Sequence, residues 1–234
     1  MTGRVPVFIS VVLGLVLMAG CAKREIHLKT VKVSSSAVYC IFDQSCAVTV
    51  TDSLTTPIPM KTGGTAFVES RTFAGKPGTP ASGLYGYEYR IDLSKAVETM
   101  VDVEGVKTKH IPCLLSMTLE FGPIVDTLDY DGDGKAGDLI YVVTSGGPGR
   151  IGLEHSHGWG NRTILNFDSP ICVGGANHPG DSTYFIGLVS AQPPRSVTAT
   201  VKETAGLTAG AQKDENYPRY DVLVRAPQIG AASR

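Results

Sequence analysis

Tyr85-Gly86-Tyr87-Glu88-Tyr89-Arg90-Ile91-Asp92-Leu93 alternates almost without a break. Successive side chains of an extended strand point to opposite faces. One face then carries Tyr85, Tyr87, Tyr89, Ile91 and Leu93, and the other carries Glu88, Arg90 and Asp92. The pattern predicts a strand with one face in a core and one in water. Cys113-Leu114-Leu115-Ser116-Met117-Thr118-Leu119-Glu120-Phe121 repeats it, with Leu115, Met117, Leu119 and Phe121 inward. Working outward, Ile26–Val33, Cys46–Thr51, Thr65–Phe73 and Leu139–Thr144 read as further strands. So do Thr163–Phe167, Thr183–Ser190, Ser196–Glu203 and Tyr220–Ala226. Lys95–Val101 alone predicts a short helix, opened by Ser94 as N-cap.

Glycine and proline punctuate the gaps, as in Lys61-Thr62-Gly63-Gly64, Gly75-Lys76-Pro77-Gly78 and Gly146-Gly147-Pro148-Gly149. About ten short strands joined by such turns predict an all-β fold, a mostly antiparallel β-sandwich or jelly roll. Composition agrees. Only 18% of residues are charged, 27 are glycine, and Thr, Val and Ser recur throughout. Twenty-one basic against 22 acidic residues leave a net charge of −1 and no basic stripe, which excludes nucleic acid as a partner.

The amino-terminal segment sets the expected location. Met1-Thr2-Gly3-Arg4 carries one positive charge, and the run Val5–Gly20 is apolar apart from Pro6, Ser10 and Gly14. It is shorter than the roughly 20 residues of a spanning helix, and its charged start and small-residue end fit a secretory signal. Leu17-Met18-Ala19-Gly20-Cys21 resembles the lipobox of bacterial lipoproteins. That resemblance implies cleavage before Cys21, acylation of its sulfur and new amino group, and a lipid bilayer as partner. Ala22 after the Cys, where aspartate would mark inner-membrane retention, implies the outer membrane of the cell envelope. Met18, where the family has Leu, Val or Ile, departs from the pattern. The expected organisation is a signal peptide over 1–20, a lipidated tether over 21–30, a β-sandwich over 31–227 and a flexible tail over 228–234. A mobile loop is expected between Ala205 and Pro218.

With Cys21 assigned to lipid, Cys40, Cys46, Cys113 and Cys172 form an even set. An exported chain meets an oxidising compartment, so disulfides are the default. Of the three connectivities possible for four cysteines, Cys40–Cys46 with Cys113–Cys172 is favoured.

Asp129-Tyr130-Asp131-Gly132-Asp133-Gly134-Lys135-Ala136-Gly137-Asp138 carries the sharpest chemistry. Ca²⁺ is a hard cation that takes six to eight oxygens. Asp129, Asp131 and Asp133 occupy positions 1, 3 and 5 of a tight loop, Gly134 permits the turn, and the Lys135 carbonyl follows. Asp138 can close the set. The loop resembles the DxDGDG calcium loops of dockerins, EF-hands and integrin-type propellers. Ile140 stands where an EF-hand has its bidentate glutamate, so the resemblance extends to the loop and not to a helix-loop-helix fold. The alternative is a solvated Asp/Gly turn.

Weaker candidates remain. His155 and His157, with His178, could bind Zn²⁺ or Cu²⁺, although a solvated loop is favoured. Trp159, the single tryptophan, packs in the core or stacks on a sugar ring, with the core favoured. Glu69, Glu88, Glu120 and Glu154 could supply a carboxylate pair, but no G-x-S-x-G, H-E-x-x-H or P-loop motif occurs. Asp181–Ser190 and Val197–Val201 resemble the closing strands of bacterial surface β-sandwich domains. The expected function is that of a non-catalytic, calcium-stabilised envelope module, for binding or for envelope structure, with a glycan or another envelope protein as partner. A carbohydrate-active jelly-roll protein is the alternative.

Overall fold

The computed structural model describes residues 25–103, 105–205 and 217–229. The strands β1 (Ile26–His27), β2 (Thr30–Ser34), β3 (Asp52–Pro57), β4 (Gly63–Ala74) and β5 (Tyr85–Val97) come first, with α1 (Ser35–Phe42) between β2 and β3. Then follow β6 (Thr99–Val103), β7 (Val106–His110), β8 (Pro112–Glu120), β9 (Ile140–Ser145) and β10 (Leu153–Trp159). β11 (Arg162–Cys172), β12 (Phe185–Ser190), β13 (Pro194–Ala205) and β14 (Arg219–Pro227) complete the chain. The fold is an all-β sandwich. Its first sheet has the order β1-β10-β11-β8-β13-β14, and its second has β2-β9-β12-β5-β4-β3. Strands β6 and β7 form a separate hairpin. Between these strands every ladder is antiparallel except that of β2 with β9. The stretch read as a tether already enters the sheets at Ile26, where β1 pairs with Gly158.

The alternation of the opening motif builds the main core. Tyr87, Tyr89, Ile91 and Leu93 of β5 are buried with Met117 and Leu119 of β8 and Leu165 and Phe167 of β11. Burial drives this packing at roughly 25 cal/mol per Å² of apolar surface. The tyrosines keep their polar ends satisfied, as buried phenols must. Tyr87 Oη donates to Gln192 O at 2.6 Å, and Tyr89 Oη donates across the sandwich to Arg225 O at 2.6 Å. Tyr87 and Tyr89 are therefore core residues.

A second apolar cluster covers the opposite face of the second sheet. Val38 and Phe42 of α1 pack there with Phe73, Tyr141, Phe185 and Val189. They lie at i and i+4 on one helix face. Ser34 caps that helix, its hydroxyl accepting from Ala37 N at 3.2 Å. The second sheet is therefore buried on both sides, and the molecule has three layers.

That third layer corrects the reading of β5. Glu88 sits on the face expected to be wet, yet it is fully buried. Three other expectations also differ. Lys95–Val101 is not helical: β5 runs on, with Ala96 opposite Gly64 and Val97 opposite Gly63, and Ser94 N donates to Asp92 Oδ1 instead of capping a helix. Cys46–Thr51 forms no strand, because Cys46 is tied to Cys40 and has a φ of 56°; pairing starts at Asp52. In β8, Leu114 is buried and Leu115 is not, because Leu115 is the extra residue of a bulge against β13 and the alternation slips by one residue. Both expected disulfides are present, Cys40–Cys46 and Cys113–Cys172. The second lies at directly opposed positions of β11 and β8.

Candidate functional site

The aspartate loop spans the gap between β8 and β9 and is anchored by its own apolar residues. Leu128 and Tyr130 insert into the outer cluster, and the Tyr130 ring meets Tyr141 edge-on at 4.9 Å. Leu128 O accepts from Gly137 N and Asp138 N, which closes the base of the loop. Within it, each carboxylate is turned by backbone N–H groups. Asp129 Oδ1 accepts from Gly132 N at 2.7 Å and its Oδ2 from Gly134 N at 2.7 Å. Asp131 Oδ1 accepts from Asp133 N, and Asp133 Oδ1 from Lys135 N. Gly132 and Gly134 have φ of 75° and 82°, in the region where a side chain is strained.

The structure brings three of the five expected ligands together. Oxygens of Asp129, Asp131 and Asp138 lie within 4.8 Å of one another. Asp133 is outside this group: its Oδ2 pairs with Lys135 Nζ at 3.1 Å. The Lys135 N–H and ammonium hold the Asp133 carboxyl below its ordinary range. Asp138 is fully buried. Its Oδ2 accepts from Tyr130 N at 2.8 Å, and its Oδ1 lies 2.7 Å from Lys29 Nζ. The Asp138 hydrogen bond raises the Lys29 pKa, assisted by the charges of Asp138, Asp133 and Asp131 and opposed by desolvation. Sequence reasoning missed Lys29, because it reaches the loop from the β1–β2 connection, about 100 residues away. Three carboxylates converge, each accepting at least one backbone N–H, and the Lys29 ammonium is the one cation seated beside them.

A second constellation lies on the outer face of the first sheet. A groove of about 850 Å³ runs across it. Trp159 opens the groove on β10 and is 53% exposed, so it is not a core residue. It stands opposite Arg162, which stands opposite Glu120. The next rung is Ile164, Thr118, Thr200 and Asp221. The third places Ser116 beside Lys202 and Lys202 beside Arg219. Strand alternation delivers these side chains outward while Met117, Leu119, Val201 and Val222 point inward.

Other candidates are dispersed. His155 and His157 are neighbours on β10, with ring centroids 5.0 Å apart, and His157 meets His27 edge-on. His178 lies apart, in the Gly175–His178 turn. Among the described residues the aspartate trio is the one grouping of three or more potential metal ligands. Glu88 and Glu120 face away from each other across the full sandwich and form no facing pair. Glu88 instead accepts from Arg71 Nε at 2.7 Å and Tyr141 Oη at 3.2 Å. Arg71 also donates to Tyr39 Oη and stacks on Phe185 at 3.7 Å. Burial raises the Glu88 pKa, and Arg71 opposes the shift.

Cys21 lies outside the described residues, as do most of the expected mobile loop and of the tail. Among the described residues no helix is long and apolar enough to cross a membrane. No family model, curated protein or solved structure matches this chain.

Proposed function

We propose that this chain is a lipid-anchored module of the bacterial cell envelope that binds a ligand on the outer face of its first sheet. The lipobox-like Leu17–Cys21 stretch supports the anchor. The observation that carries the binding reading is an asymmetry of the sandwich. One sheet is covered on both faces, while the other leaves a grooved, polar, tryptophan-bearing face in water. Ca²⁺ held by Asp129, Asp131 and Asp138 would stabilise the fold and not act as a sensor. Its loop joins two strands, which cannot open as paired helices do.

Between a glycan and an envelope protein as ligand, the groove favours the glycan. An exposed aromatic ring beside a row of hydroxyls matches a sugar, which has apolar faces and a polar rim. A protein partner would call for a broader apolar patch. Membrane fractionation of cells making the natural chain and Cys21→Ser tests the anchor. The natural chain should stay with membranes, and the variant should appear in soluble fractions or as an uncut precursor. A Cys21→Ser chain that is membrane-bound and normally processed would overturn it.

A further inference from the structure

We infer that the groove takes an acidic oligosaccharide, a sugar chain bearing carboxylates, laid across the strands from Trp159 towards Arg219. The inference rests on the reading of this face as a glycan-binding surface. Three observations extend that reading to the ligand's charge. First, Lys202 and Arg219 occupy directly opposed positions on β13 and β14. Like charges so placed repel and destabilise a sheet. An anion between them removes the cost. Second, Arg162, Lys202 and Arg219 all line the groove, and among the described residues none of the three is in an ion pair. The groove's own Glu120 is already engaged by Arg195 at 3.7 Å. Asp221, at its edge, accepts from Thr200 Oγ1 at 2.9 Å. Among the described residues the groove thus carries three cations, Arg162, Lys202 and Arg219, against Glu120 and, at its edge, Asp221, although the chain as a whole has a net charge of −1.

Third, the spacing suits a chain and not a single small anion. Trp159 on β10 and Arg219 on β14 are separated by four inter-strand steps, about 19 Å at about 4.8 Å each. Between them lie the hydroxyls of Thr118, Thr198 and Thr200. A sugar ring stacked on Trp159 would place the following residues over these hydroxyls, and their carboxylates against Arg162 at one end and Lys202 and Arg219 at the other. Three spaced cations are too few for a polynucleotide, whose affinity rests on many phosphate contacts.

Trp159 is the single tryptophan, so its fluorescence reports on this groove directly. The full-length chain in detergent micelles is titrated with short oligogalacturonates and oligomannuronates, then with their methyl esters, at matched free calcium. The acidic oligomers should shift and saturate the Trp159 emission, and the uncharged esters should bind about tenfold more weakly or worse, tenfold being about 1.4 kcal/mol. By calorimetry, Trp159→Ala should weaken the acidic oligomers about tenfold, and Lys202→Gln with Arg219→Gln by a similar factor. Raised salt should weaken binding further. Esters that bind as well as the acids would overturn the inference but leave the glycan reading standing. If neither form binds, both fall, and the anchor remains testable at Cys21. Equal binding of polyglutamate would overturn it by showing a field that attracts any polyanion.

Discussion

The Lys29 ammonium lies 2.7 Å from the Oδ1 of Asp138, a carboxylate with no exposed surface. The aspartate loop thus already holds one cation, supplied by the chain itself. A calcium ion bound as proposed would compete with that ammonium or displace it. Binding to the native state alone at 100 times Kd adds about 2.7 kcal/mol, or about 5–10 °C in Tm for a chain of this size. Calcium should raise Tm by that order, and Asp131→Ala should remove most of the rise. Lys29→Met should lower Tm in chelator, because it strands Asp138, and should enlarge the calcium-dependent rise. Identical melting curves in calcium and in chelator would remove the ion from the account.

Arg71 and Glu88 form a buried pair between the second sheet and α1. Removing one partner leaves an uncompensated charge, at a cost of roughly 3–5 kcal/mol. Arg71→Ala should lose about that much in urea unfolding. The double variant Arg71→Met with Glu88→Gln should recover a good part of it, because no charge is left stranded. A single variant as stable as the natural chain would mean that Glu88 is solvated.

Tyrosine burial predicts how the fold fails in alkali. Burial pushes Tyr89 and Tyr141 well above the usual value of 10.0, and Tyr39 is pushed up to about 12. A raised folded-state pKa means that the unfolded state loses its protons first. Stability is then fully present below about pH 10 and falls as pH rises towards the folded-state values. Tyrosine ionisation followed by ultraviolet absorbance should coincide with unfolding. Full titration near pH 10 with the fold intact would contradict the burial.

Acid acts through Asp43, whose carboxyl is pulled down to about 2 by the Lys76 ammonium and by the Ser45 N–H and hydroxyl. A lowered pKa gives stability present above the unfolded value and lost as pH falls. The natural chain should therefore lose more stability than Asp43→Asn between about pH 4 and pH 2. Parallel acid curves for the two would show that Asp43 contributes nothing.

The two disulfides close loops of very different size, with sequence separations of 6 and 59. Loop entropy alone gives about 2 kcal/mol for the first and about 4 kcal/mol for the second. Cys113→Ser with Cys172→Ser should cost about twice as much as Cys40→Ser with Cys46→Ser in urea unfolding. The reverse order would contradict loop entropy as the main contribution of the two bridges.

The strands of the main core were legible because alternation is local, as at Tyr87, Tyr89 and Ile91. The third layer was not. Glu88 looks solvent-facing in its own strand, and only α1, some 50 residues earlier, buries it. A signal existed in the unbroken apolar run Phe185-Ile186-Gly187-Leu188-Val189, which suits a strand buried on both faces. The helix has a signal in Ser34 followed by Val38 and Phe42 at helical spacing, but two turns of helix are too short for periodicity to stand out. Aspartate spacing located the cation loop, whereas Lys29 could not be placed in it without the fold. Trp159 was ambiguous because the strand gives it a face, and only the second sheet's position decides which face is inside.

The mass of the amino-terminal peptide of the protein isolated from membranes is the most direct test of the proposed lipid anchor. The expected peptide begins at Cys21 and carries acyl chains on its sulfur and amino group. A peptide that begins elsewhere, or an unmodified Cys21 thiol, would contradict it.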